Sequence, residues 1–362
     1  MKVKLTKWKC LLLLLSILTN IFFSGIVYGD STEPSVGKKE IPQAKKQEKD
    51  EGTGFTVSPE IPENQVDPMK GFFFIKVTPK KEQQLKVKIR STSKEPHTVT
   101  VRVKNAYTSQ NGQIDYDGNN FKRDKTLNHS LEEMTTVSDK KVTVKNFETK
   151  EVTITLKPPA NSFKGIKAAA ICIMKSEEKG KKAGISSSFG YRVGLVVTEE
   201  ENEDFDYSTA KSLNFLKVKP TVHQGKRVIQ ARLQNPEPKI LDDFSVETKL
   251  REKGSAEVLR KRTTNDMRMA PNSQFDFATN WGLDPIQPGT YVLSVRATSK
   301  NESWKWEKEF TIGEEQAKKI NEEASYTLTY PKWVPIVVIL LGVVTLVVIG
   351  TLYVRRKRWE TS

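Results

Sequence analysis

The chain has 362 residues, with 59 Lys and Arg against 44 Asp and Glu, and only two cysteines. Of its formal net charge of +15, four units belong to Lys2, Lys4, Lys7 and Lys9 and three to the last eight residues, leaving +8 for everything between. So mild an excess gives no reason to expect a nucleic-acid partner and favours, at most, anionic surroundings such as acidic wall polymers.

The four lysines precede an apolar run from Cys10 to Phe23, and Val27-Tyr28-Gly29 offers small or modest residues where a signal peptidase cuts. Residues 1–29 read as a signal peptide, and the exported chain begins at Asp30. Export removes Cys10, so Cys172 is the only cysteine left and no intrachain disulfide can form. It lies in Ala168-Ala169-Ala170-Ile171-Cys172-Ile173-Met174, where a buried small hydrophobe is expected. An exported chain of this size without bridges is held by burial alone, which points to a bacterial surface.

Residues 30–54 are rich in Lys, Glu, Gln, Pro and Gly and carry too little apolar surface to offset ordering entropy, so a flexible leader is expected. From Phe55 the pattern changes to strict alternation. Leu85-Lys86-Val87-Lys88-Ile89-Arg90 and Val99-Thr100-Val101-Arg102-Val103-Lys104 are strands with one face buried and one wet. Val142-Thr143-Val144 and Val152-Thr153-Ile154-Thr155-Leu156 repeat it, with turns at Asn111-Gly112 and Asp117-Gly118. Gly165 to Met174 is the most continuously apolar strand and is expected at the centre of a sheet, covered on both faces. Residues 55–199 therefore read as a first β-sandwich.

An acidic break from Glu199 to Asp206 marks a domain boundary. A second set of strands follows, at Leu213–Val218, Val228–Leu233, Phe244–Leu250, Phe275–Phe277, Tyr291–Ala297 and Trp304–Ile312. Residues 207–313 have the length of an immunoglobulin-like sandwich. The fold class is mainly β: two immunoglobulin-like sandwiches plus one C-terminal transmembrane helix. Ala317, Ile320 and Ala324 recur at helical spacing, and Glu314/Lys318 and Glu315/Lys319 are favourable i,i+4 pairs. Residues 314–332 thus read as a helical stalk.

No charge interrupts Trp333 to Val354, which at about 1.5 Å per residue can cross a hydrocarbon layer of roughly 30 Å. Arg355, Arg356, Lys357 and Arg358 follow at once, so residues 333–354 are expected to span a cell membrane once, type I, with 355–362 in the cytoplasm. The Leu-Pro-x-Thr-Gly signal of sortase substrates is absent from the stretch between Tyr326 and Trp333, which makes the helix an uncleaved tether.

Chemistry is hard to find. His97, His129 and His223 are isolated, with no metal-ligand partner at i+3 to i+5, and there is no nucleophile elbow or phosphate-cradling glycine loop. The expectation is a protein that is not an enzyme and uses no cofactor or metal. The alternatives are a glycan-processing ectodomain of the cell wall, or a membrane-anchored adhesin. Candidate binding residues fall in three stretches. Met267, Arg268, Met269 and Asn272 combine thioethers, a base and a turn, and either pack between sheets or meet a partner. Trp304 and Trp306 share one strand face, and either belong to the core or present indoles outward; Trp281 stands in Asn280-Trp281-Gly282-Leu283.

These stretches carry a resemblance. Phe55-Thr-Val-Ser-Pro, Pro62-Glu-Asn-Gln65, Phe74-Ile-Lys-Val-Thr-Pro79 and Gly112-Gln-Ile-Asp-Tyr116 resemble the peptidoglycan-binding domain of WxL-interacting proteins. Leu233-Gln-Asn-Pro236, Ile240-Leu-Asp-Asp243, Met267 to Ser273, Pro288-Gly-Thr-Tyr-Val-Leu293, Trp304-Lys-Trp306 and Ala317-Lys-Lys-Ile-Asn321 resemble their host-binding domain. The resemblance implies a non-enzymatic surface scaffold of Gram-positive bacteria. Its implied partners are a WxL-domain surface protein, peptidoglycan or an anionic wall polymer, and host extracellular-matrix protein. It implies no catalytic residue.

Overall fold

A computed structural model describes residues 53–116, 123–176, 189–200, 205–300, 302–326 and 333–360. The expected signal peptide, the leader up to residue 52, the turn at Asp117-Gly118 and half of the acidic break (residues 201–204) lie outside the described residues. Those described fall within one unit, Glu51–Ser362.

The first sandwich faces two sheets against each other. One has the order β1 (Phe55–Glu60), β3 (Gln83–Ser91), β9 (Thr149–Leu156), β7 (Thr135–Val137). The other has the order β2 (Phe73–Lys76), β11 (Gly190–Thr198), β10 (Ile166–Lys175), β4 (His97–Asn105), β8 (Lys141–Val144), with β2 parallel to β11. Alternation decides what is inside: Leu85, Val87 and Ile89 are buried while Lys86, Lys88 and Arg90 are not. They pack with Val152, Ile154 and Leu156 against Val99, Val101, Ile171, Ile173 and Leu195 of the facing sheet. The apolar strand β10 is central and buried on both faces, as its composition predicts; Cys172 is one of its buried residues. A short hairpin, β5 (Tyr107–Thr108) with β6 (Ile114–Asp115), and a one-turn helix α1 (Leu131–Met134) complete this half.

The second sandwich sets β12 (Asn214–His223), β13 (Lys226–Asn235) and β16 (Ser273–Asn280) against β15 (Arg260–Met269), β14 (Leu241–Glu252), β17 (Gly289–Thr298) and β18 (Ser303–Ile312). This three-plus-four order is compatible with an immunoglobulin-like sandwich. Ile229, Leu233, Phe275 and Phe277 meet Phe244, Val246, Leu293 and Val295 in its core. Strand β15 has no counterpart among the strands expected from sequence. It is a terminal strand whose exposed face carries Lys261, Thr263 and Asn265 and whose inner face begins with the half-buried Arg260 and Arg262. Arg262 lies over the Phe277 ring, so apolar alternation appears only at the end of the strand, in Met267 and Met269.

Helix α2 (Glu314–Glu323) starts with Glu314 and Glu315 in its first turn, where the dipole favours acids, and buries Ala317 and Ile320. Those two residues belong to the core of the second sandwich. The helical spacing seen in the sequence is real over ten residues, but this helix lies against the sandwich and is not a free-standing stalk; residues 327–332 lie outside the described residues. Helix α3 (Val334–Glu360) contains an apolar stretch, Ile336–Lys357, with mean hydropathy 2.8 and no buried residue. It is long and apolar enough to cross a membrane.

Candidate functional site

Strand direction places the two sandwiches end to end. In the second sandwich Asn235, Met269 and Ser273 lie at one end, and the Gly225 turn, Trp281 and the start of α2 at the other. The first end meets the first sandwich. There the β5–β6 hairpin lies on the β15–β16 connection, with the Arg268 amide donating to the Gly112 carbonyl at 2.7 Å and Gln113 Nε2 to the Asp266 carbonyl at 2.9 Å. Ile166 N donates to Pro238 O at 2.8 Å, and Gln234 Nε2 lies 2.9 Å from both carboxylate oxygens of the buried Asp124. Phe74 and Tyr207 add an edge-to-face contact at 5.1 Å. Burial raises the Tyr116 hydroxyl pKa beside this joint, and the Arg268 guanidinium opposes the rise.

Four of the sequence candidates are used here. Met267 and Met269 are two apart in β15, so both point into the core, at 1% and 0% exposure. Arg268, between them, points out and pairs with Asp242 at 2.7 Å. Asn272 takes the left-handed backbone at φ +48, a conformation asparagine tolerates, and donates through Nδ2 to Pro236 O. Asn235, which is fully buried, answers by donating to Ala270 O and Lys239 O. The Met-rich stretch is therefore the end of a strand and a tight turn, with no free thioether surface. Asn235, Thr108 and Asp124 were not among the sequence candidates; only the Leu233-Gln-Asn-Pro236 motif pointed to the first.

Trp281 sits at the opposite end, 6% exposed, edge-on to Tyr291 at 5.4 Å. Its carbonyl accepts from Arg260 Nε and its amide donates to Arg227 O. Trp304 and Trp306 do share a face of β18. They are half-buried and pack against the core, Trp306 edge-on to Phe215 at 6.1 Å. The structure thus brings the two indoles together and keeps Trp281 and the joint residues apart from them.

Strand β18 is the last of its sheet, ten residues long, and its outer edge pairs with no other strand among the described residues. On its solvent face Glu307 accepts from Ser294 Oγ and pairs with Arg251, which hold its carboxyl below the usual range. Lys305 stands directly opposite Arg296, and both line a cleft of about 340 Å³ with Trp306, Glu247 and Glu307. Among the described residues, no group of three or more His, Cys, Asp or Glu is placed to hold a metal ion. What this surface offers chemically is an unpaired backbone edge flanked by indoles and charges of both signs, which suits binding an extended segment.

A comparison with curated proteins found no match. Among solved structures, the chain is similar to the YadV chaperone at 11% identity, covering 72% of this chain and 100% of that one, TM-score 0.31. It is similar to the CupB2 chaperone of Pseudomonas aeruginosa at 14% identity, covering 66% and 96%, TM-score 0.26. It is also similar to PapD-like domain 7 of human CEP192 at 11% identity, covering 47% and 99%, TM-score 0.25. Scores this low carry no argument. The family models do: residues 55–175 match the WxL Interacting Protein peptidoglycan binding domain, and residues 180–322 match the WxL Interacting Protein host binding domain. The second match begins before β11, a strand that the sheet order assigns to the first sandwich. With the two models matched in tandem across both sandwiches and α2, this chain belongs to the WxL-interacting protein family.

Proposed function

We propose that the protein is a membrane-anchored, non-enzymatic adaptor of the cell surface that holds peptidoglycan and a WxL-domain protein. The observation that carries this reading is the end-to-end order of the described parts: first sandwich, joint, second sandwich, α2, and then the apolar helix α3. An order of that kind lifts the peptidoglycan-binding-type sandwich away from the bilayer into the wall, with the ectodomain outside and the basic tail inside. The second sandwich stays close to the membrane. Because α2 folds back onto it, the spacer between Tyr326 and Trp333 covers at most about 25 Å fully extended. That position suits a WxL-domain protein in the wall better than host matrix beyond it. The free edge of β18, with Trp304, Trp306 and Lys305, is the docking surface we favour for an extended segment of that partner.

Amine cross-linking on intact cells, with cross-linked peptides mapped by mass spectrometry, tests this. Cross-links from a WxL-domain protein to Lys305 or Lys308 are expected. Cross-links to the first sandwich alone would sink the docking surface, and release of soluble wall fragments by the purified chain would sink the non-enzymatic reading.

A further inference from the structure

At the end of the second sandwich from which the chain leaves for α3, three large apolar side chains are exposed: Val258 at 45%, Leu283 at 46% and Tyr326 at 52%. Their positions are fixed by two arginines. Arg227, 2% exposed, donates through Nη1 to both Leu283 O and Tyr326 O and through Nε to Asn321 Oδ1 at 2.8 Å. Asn321 in turn exchanges two hydrogen bonds with the Ile286 backbone, and Gly225 O accepts from the amides of Ser325 and Tyr326. Arg260 joins the Leu259 and Trp281 carbonyls and pairs with Asp284, holding the Val258 loop beside the Leu283 loop. The chain is thus clamped to the sandwich as far as Tyr326, and Trp333 is seven residues further on.

We infer that this end of the second sandwich docks on the surface of the bilayer that carries α3, through Val258, Leu283 and Tyr326. The inference rests on the reading of α3 as a membrane anchor. The short spacer confines this end to the neighbourhood of the headgroups, and no other end of the sandwich is so confined. Exposed aliphatic side chains beside a tyrosine are the composition that partitions into a membrane interface. Lys226, 5.6 Å over the Tyr326 ring, adds a cation at the headgroup level. Charges of both signs surround the patch, Asp284 and Lys253 among them, so the contact is apolar and insensitive to salt.

The test uses the exported chain, residues 30–362, in phosphatidylglycerol–phosphatidylcholine vesicles, with a nitroxide at Val258→Cys, Leu283→Cys or, as a distant reporter, Phe147→Cys. A second series carries twelve Gly and Ser residues inserted between Tyr326 and Trp333. Headgroup-chelated gadolinium should relax the labels at 258 and 283 several-fold more than the one at 147, in both series and at high salt. In the lengthened chain labelled at 258, Leu283→Glu should abolish the effect. Equal relaxation at all three positions, or its loss on lengthening the spacer alone, would overturn the docking. Failure of the chain to float with the vesicles would instead overturn the anchor.

Discussion

Thr108 and Ser273, 165 residues apart in sequence, share a buried hydrogen bond of 2.6 Å that closes a ring between the two sandwiches. Ser273 Oγ donates to Ala270 O at 2.7 Å, so its proton is used, and Thr108 must be the donor between the two hydroxyls. The Ala270 amide donates back to Thr108 Oγ1 at 3.0 Å. Each donor in the ring polarises the next, so the three bonds reinforce one another.

Thr108→Val removes both the donor to Ser273 and the acceptor of the Ala270 amide. Leaving that amide buried and unpaired should cost about 1–3 kcal/mol. Ser273→Ala should cost a similar amount, and the double variant less than the sum, because the two act on one ring. Urea unfolding of the three variants checks this; strict additivity would mean that the hydroxyls are independent.

Gly165 lies at the same joint with φ +71, and a Cβ there would strike the Pro238 carbonyl. Gly254 has φ +83 with open space around it. Gly254→Ala should therefore cost only the left-handed backbone term, about 1–2 kcal/mol. Gly165→Ala should cost that and also force the sandwiches apart, with loss of the Ile166 N to Pro238 O bond. Small-angle scattering should show a larger radius of gyration for Gly165→Ala and none for Gly254→Ala.

The strands with one wet face were legible because alternation such as Leu85-Lys86-Val87-Lys88-Ile89 records burial within a single element. So was the helical spacing of Ala317, Ile320 and Ala324. The joint was not. What buries Met267 and Asn272 is the core of their own sandwich together with a hairpin some 150 residues upstream, and a local pattern does not encode a distant neighbour. Strand β15 escaped for a related reason: as a terminal strand it carries Arg260 and Arg262 where apolar residues would mark an inner face, and only two thioethers at its end. The docking of α2 depends on the contact of Arg227 with Asn321, 94 residues away, and in the sequence each looks like an ordinary surface residue.

Arg227 makes that contact testable. Its guanidinium is buried at 2% exposure and satisfied by carbonyl and amide oxygens near the C-terminal end of α2, where the helix dipole favours a cation. Arg227→Met keeps most of the volume but leaves Asn321 Oδ1 and Tyr326 O with fewer donors. A loss of about 2–3 kcal/mol is expected, the usual range for hydrogen bonds to a charged group. Hydrogen exchange should speed up in α2 and at Ser325 and Tyr326, while β3 and β9 of the first sandwich keep their protection. Uniform loss of protection would mean that the clamp supports the whole molecule.

Lys167 gives a pH dependence with a definite sign. The residue is 7% exposed, and its ammonium donates to Asn128 O and lies 4.7 Å over the Phe163 ring. Burial holds its pKa below the ordinary lysine value, and the Glu199 and Glu133 carboxylates only partly offset this. The folded chain therefore releases this proton at a lower pH than the unfolded chain, whose lysine titrates near ~10.4. Between those two pKa values the unfolded chain binds more protons, so stability rises with pH across that window. Lys167→Met removes this contribution. The difference in unfolding free energy, wild type minus Lys167→Met, should increase as pH is raised through the window and level off above the unfolded pKa. If the two proteins keep a constant difference across that range, Lys167 remains protonated in the folded chain and the burial does not govern its charge.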